Sequence, residues 1–183
     1  MKELSLNVLD ISMNSIEAKA TLISILIEED ANRLVIQVVD NGCGMPPEIL
    51  KTVTDPFCTT RTTRKAGLGI PLFKLAAEQT GGEITILSRH ISDFPNEHGT
   101  SVQATFYKQH IDFTPIGDII STLTTLIQGS PHIDFVFQHQ SPDRNVSLDT
   151  RELREILGQE IPLNNPEVRN WITQHLDEQY KNI

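Results

Sequence analysis

Within the first 107 residues of this 183-residue chain, three groups of side chains have the types and spacing to do chemistry together. Asp10 and Asn14 stand four apart, which on a helix puts a carboxylate and an amide on one face. Such a pair offers oxygen ligands to a hard divalent cation. Asp40 closes a β-rich run, and the turn after it, Asn41-Gly42-Cys43-Gly44-Met45, leaves its carboxylate exposed. Gly67-Leu68-Gly69 opens a helical run, where unsatisfied backbone amides and the helix dipole make an anion site. Between the last two groups, residues 54–66 are polar, basic and aperiodic, and read as a mobile loop carrying Arg61, Arg64 and Lys65. Singly, a Gly-x-Gly turn is more often a helix cap and Asp-Asn-Gly an ordinary turn. Their order and spacing together carry the reading.

These residues need elements to hold them. A helix is predicted over 3–19, on which Glu3, Asn7, Asp10, Asn14 and Glu17 fall within roughly an 80° stripe at about 100° per residue. Apolar residues flank that stripe on both sides, Leu4, Val8, Ile11 and Ala18 on one and Leu6, Leu9, Met13, Ile16 and Ala20 on the other. The pattern predicts a largely buried helix whose polar groups meet a cavity or a partner. Runs 21–28 and 33–40 read as an antiparallel hairpin, with a short helix after Pro46-Pro47. A helix over about 70–80 ends at Gly81-Gly82, and strands 83–88 and 100–107 follow. Beyond Pro115 the pattern gives a helix over 116–128 and strands at 133–139 and 145–148. A helix over 150–157 follows, with Asp149 as N-cap and Glu152 completing a capping box, and a last one runs from Pro166 to Tyr180.

On these residues the chain resembles the GHKL ATPases, the superfamily of gyrase, heat-shock chaperones, histidine kinases and the mismatch-repair protein MutL. Leu9 to Ala18, Leu-Asp-Ile-Ser-Met-Asn-Ser-Ile-Glu-Ala, is similar to the N box, and Asp40 to Met45 to the first glycine box. Asp55 to Arg61 with Ala66-Gly67-Leu68-Gly69-Ile70 resembles the F box, lid and second glycine box of the histidine-kinase ATP-binding domain. The resemblance implies a Bergerat-type two-layer α/β sandwich, a mixed sheet with helices on one face, and a site for ATP with Mg2+. It implies that Asp40 accepts from the adenine amino group, supported by Thr100, and that Gly42, Gly44 and Met45 line the base. Asn14 would ligate magnesium, Gly67, Leu68 and Gly69 would cradle phosphate, and Arg61 would close on it, with Arg64 and Lys65 nearby. Asp10 stands where the ATP-hydrolysing branch has a glutamate general base. Aspartate is one methylene shorter, so a metal-shell or helix-positioning role competes with catalysis.

Composition narrows the partners. Net charge is −9, which disfavours nucleic acid and anionic membrane, and no stretch reaches the roughly 20 apolar residues of a membrane span. With no leader pattern at Met1-Lys2, a cytoplasmic protein is expected. Cys43 and Cys58 make no disulfide framework and read as small filler. The expected division is a nucleotide-binding region over 1–109 and an acidic region over 110–183, net −6, forming a small α/β or helical appendage packed on the first. There Trp171, Ile172 and Leu176 read as core. No phosphoacceptor histidine segment precedes the first helix in this sequence, so phosphoryl transfer within the chain is not expected. The reading is an Mg-ATP-binding regulatory module whose lid controls a protein partner. A kinase acting in trans or a slow ATPase is the alternative, a non-catalytic scaffold the third, and a homodimer stays open.

Overall fold

The computed structural model describes residues 3–55, 68–158 and 160–181. Helix α1 spans Leu4–Glu17 and is followed by strands β1, Leu22–Glu29, and β2, Arg33–Asp40. The turn between them is held by Asp30, whose Oδ1 accepts from the N–H groups of Asn32 (2.8 Å) and Arg33 (2.9 Å). A one-turn helix α2, Pro47–Leu50, leads to α3, Gly69–Gln79, and then to β3, Glu83–Arg89, and β4, Gly99–Tyr107. The remaining elements are α4, Ile119–Gly129; β5, Asp134–Ser141; β6, Arg144–Asp149; α5, Thr150–Leu157; and α6, Pro166–Lys181.

The six strands form one mixed sheet in the order β3-β4-β2-β1-β5-β6. Among the described strands, only the β1–β5 pair is parallel. Residues after 110 therefore add two strands to the sheet begun by the first forty. Alternation along the strands gives the sheet one dry face, where Ile23, Ile25 and Ile27 of β1 and Leu34, Ile36 and Val38 of β2 are buried. Val102, Ala104 and Phe106 of β4 and Phe135 and Phe137 of β5 continue that face. Helices α1, α3, α4 and α6 contribute Leu4, Val8, Ile11, Phe73, Leu123, Leu126, Ile172 and Leu176 to the same core. The fold is thus the expected α/β sandwich.

Helix α1 departs from the expectation in one respect. Its buried side runs through Leu4, Asn7, Val8, Ile11 and Ser15 and takes in Ser5 and Ser12, while Leu6 and Met13 are about two-fifths exposed. Sequence pattern took the two apolar flanks as equivalent. Only one of them faces the sheet, so the helix is half-buried and Asp10 and Glu17 lie on its open side. A similar correction applies to Trp171, which stacks on His175 (centroids 4.6 Å apart) at the surface while Val168, Ile172 and Leu176 face inward. Asp149 does cap α5, accepting from Arg151 N (2.9 Å).

The tail also holds the start of α1. Leu4 N and Ser5 N donate to the carbonyls of Pro115 (2.9 Å) and Ile116 (2.7 Å), and Thr122 Oγ1 donates to Ser5 O. These bonds satisfy the first orphan amides of the helix, which no side chain caps.

Candidate functional site

The pairing register brings Asp40 opposite Thr100 and Thr100 opposite Ser88, a row across the ends of β2, β4 and β3. Asp40 continues the parity of Ile36 and Val38, so it points to the helical side of the sheet. Its carboxylate is oriented from two directions. Gly42 N donates to Oδ1 (2.8 Å), and Ser15 Oγ donates to Oδ2 (2.6 Å). Ser88 Oγ lies 2.8 Å from Thr100 Oγ1, accepts from Met45 N (2.7 Å) and is 3.2 Å from the Gly99 carbonyl.

The turn after β2 is locked from several sides. Asn41 Oδ1 accepts from Thr21 N and Leu22 N, and its Nδ2 donates to Thr21 Oγ1. Cys43 N donates to Ala18 O at the end of α1, and His98 Nδ1 donates to the Gly42 carbonyl at 2.6 Å. Gly44 has φ +70°, and a Cβ there would stand 2.0 Å from the Arg89 carbonyl. Its glycine is thus required by its own chain, through both dihedral and close approach. A Cβ on Gly42 would meet Ala18.

The third component meets the first at the start of α3. A Cβ on Gly69 would lie 3.0 Å from Asp10 Cβ and 3.7 Å from Asn14 Nδ2. Glycine therefore lets the first turn of α3 lie against α1 beside these two side chains. That turn has no side-chain cap, with Leu68 at the N-cap position. Among the described residues, neither the Asp10 carboxylate nor the Asn14 side-chain amide has a protein hydrogen-bond partner, and burial raises the Asp10 carboxyl from its ordinary value. Asn14 is half-buried and adjoins Ser15, which bonds Asp40. One helix thus ties the strand-end carboxylate to the pair at the start of α3. Arg61, Arg64, Lys65, Gly67 and Cys58 lie outside the described residues.

A family model described as histidine kinase-, DNA gyrase B- and HSP90-like ATPase matches residues 1–110. The chain belongs to this ATPase family. The match takes in the Asp40 row, the turn after β2, the start of α3 and the α1 pair, so the chain carries a histidine kinase-like ATPase domain. Sporulation kinase C of Bacillus subtilis is 34% identical over 90 residues, 48% of this chain and 20% of that protein. Nitrogen regulation protein NtrY of Azorhizobium caulinodans is 34% identical over 83 residues, 43% of this chain and 10% of that protein. The chain spans a fifth or less of the length of these relatives. Among solved structures, the Aquifex aeolicus MutL ATPase domain complexed with ADP superposes with TM-score 0.52 at 13% identity, over 95% of this chain and 88% of that one. The N-terminal domain of a DNA repair protein gives TM-score 0.58 at 17% identity, over 81% and 52%. These likenesses concern the fold, and the first extends it past residue 110.

Three side chains that hold the Asp40 row and its turn were not singled out from the sequence. Ser15 was invisible because a serine inside a helix normally bonds its own backbone, as this one also does to Ile11 O. Ser88 and His98 act through register and loop packing, which no local pattern encodes.

Proposed function

We propose that the chain binds ATP with magnesium at this site and uses nucleotide occupancy to control a protein partner. Asp40 accepts the adenine amino group, and Ser15 and Gly42 fix its carboxylate for that bond. Thr100 and Ser88 form the floor beside it, and Gly42, Gly44 and Met45 form the wall. The amides opening α3, from Leu68 and Gly69, receive phosphate oxygens. On the sequence resemblance, Gly67 and Arg61 complete that side.

The donor set fits magnesium. Asn14 offers an amide oxygen that has no described protein partner, and among the described residues no three His, Cys, Asp or Glu side chains gather to hold a metal alone. A hard cation that keeps water and phosphate oxygens suits such a sparse site. Bound there, magnesium would neutralise phosphate charge. What chiefly supports the reading is the doubly oriented Asp40 carboxylate on the same helix-sheet junction as Asn14 and Gly69.

The decisive experiment is calorimetric titration and thermal melting with ATP, ADP and a non-hydrolysable analogue, with and without Mg2+. Wild-type protein should gain stability with Mg-ATP. Asp40→Asn should lose roughly tenfold or more in affinity, since a hydrogen bond to a charged acceptor contributes about 1.5–3 kcal/mol. Equal stabilisation of both proteins would remove the adenine assignment. A second reading, hydrolysis or phosphoryl transfer to a separate protein, is favoured by one observation: Asp10, whose carboxyl is raised by partial burial and has no described partner, stands where α1 packs against Gly69.

A further inference from the structure

The two edges of the sheet are treated differently. At β6, Gln179 of α6 accepts from Ser147 N (2.9 Å) and donates to Ser147 O (3.0 Å). A side-chain amide thus fills the position a further strand would take, one way proteins blunt an edge. At the opposite edge, β3 pairs with β4 alone among the described residues. No proline interrupts Glu83-Ile84-Thr85-Ile86-Leu87-Ser88-Arg89, and no charge lies inside it. Leu87 is 67% exposed, on the face of the sheet away from the core. Such an edge is a template for another strand.

Its sequence selects the occupant. Laid antiparallel against itself about Ile86, the strand sets Glu83 opposite Arg89, Ile84 opposite Ser88 and Thr85 opposite Leu87. Every residue meets one on the same face of the sheet, because the numbers in each pair share parity. The acidic end of one copy meets the basic end of the other, twice over. An isologous two-fold contact requires this self-complementarity.

We propose that β3 is a homodimer edge, through which two copies of this chain join their sheets into one of twelve strands. The turn at 43–45 abuts the Arg89 carbonyl, so the backbone ladder covers Ile84–Ser88 and the end charges meet through their side chains. Arg89 already pairs with Glu97 (2.6 Å) and lies over Phe94 (5.5 Å), which holds its guanidinium at the strand end. One strand edge is a small contact, so association belongs to the micromolar range, on the order of that of transient complexes.

The test is sedimentation of the full chain from about 1 to several hundred micromolar, with Glu83→Arg, Arg89→Glu and the double variant. Wild-type protein should shift reversibly from 20.5 kDa to twice that mass. Each single reversal sets like charges face to face at two symmetric points and should weaken association about tenfold. The double reversal should restore most of it. A wild-type chain that stays monomeric throughout overturns the proposal. So do single reversals that associate like wild type, or a double variant no better than either single one. Leu87→Lys, on the exposed face and outside the charge pairs, is a second check on the edge. It should weaken association while leaving the melting temperature of the monomer unchanged, and undiminished association would count against the proposal.

Discussion

Asp10 separates the proposed binding from the alternative of hydrolysis. Its carboxyl is raised by partial burial and has no described partner, and its Cβ lies against the start of α3, so it can take a proton more readily than a solvated aspartate. If the chain turns over ATP, Asp10→Asn should cut phosphate release by about 10²–10⁴-fold, the usual contribution of a general base, while Mg-ATP binding persists. Release should also rise with pH through a value above the ordinary carboxylate range, because only the ionised form accepts a proton. Colorimetric phosphate assay alongside calorimetry separates the outcomes, and equal turnover in both proteins would leave Asp10 a positioning role. At this scale the sequence was legible where identity implies chemistry. Asp10, Asn14, Asp40 and Gly69 stood out as candidates because a carboxylate–amide pair, a strand-end carboxylate and a glycine turn, each ordinary alone, follow one another in the order of the resemblance. Ser15 could not, since its value lies in a 2.6 Å bond to a residue 25 positions away.

Among the elements, α6 is joined to the hairpin β1–β2 through a buried polar chain centred on His139, which is 2% exposed. Tyr180 Oη lies 2.8 Å from His139 Nδ1, and His139 Nε2 lies 3.3 Å from Glu29 Oε1. Glu29 Oε2 accepts from Lys108 Nζ at 3.1 Å, and the Arg144 guanidinium covers the Tyr180 ring. Burial, which outweighs the attraction of Glu29, lowers the imidazole below the usual histidine value, and burial also keeps the phenol protonated. The neutral tautomer then fits both neighbours, with Tyr180 donating to Nδ1 and Nε2–H donating to Glu29. A histidine whose folded value is depressed contributes stability above its unfolded value and loses it as pH falls through the folded one. Glu29 is also held low, against its own burial, chiefly by Lys108, so it adds a loss in the same direction at lower pH. Melting temperature should therefore fall by a few degrees between pH 7 and pH 5, and His139→Gln should flatten that part of the profile. A profile of unchanged slope in the variant would show that other groups carry the acid sensitivity. Element spans were readable from periodicity and caps, as Asp149 before α5 illustrates. The phase of α1 was not, because both of its flanks are apolar and only tertiary contact chooses between them.

Over the whole molecule, the family match ends at residue 110 but the sheet does not. Strand β5 pairs with β1 over seven positions, from Leu22–Asp134 to Glu28–Gln140. Removing residues 111–183 would open that edge, strip Phe135, Phe137, Leu123, Leu126 and Ile127 from the core, and free the first amides of α1 from Pro115 and Ile116. Each fully buried side chain of this size contributes about 1.5–3 kcal/mol, so five of them match the roughly 5–15 kcal/mol by which a domain is stable. The α1 anchors bear on the proposed site as well, since that helix carries Asp10, Asn14 and Ser15. A sequence reading could place the composition break near residue 110 but not the β1–β5 ladder across it, because strand pairing across a hundred residues leaves no local trace. Residues 1–110 alone should show no cooperative melt and no Mg-ATP stabilisation, with dye binding that reports exposed apolar surface. A truncated chain that melts cooperatively and binds ATP as the full chain does would instead make the last seventy residues an accessory. The six-stranded sheet would then be two units that happen to share a ladder.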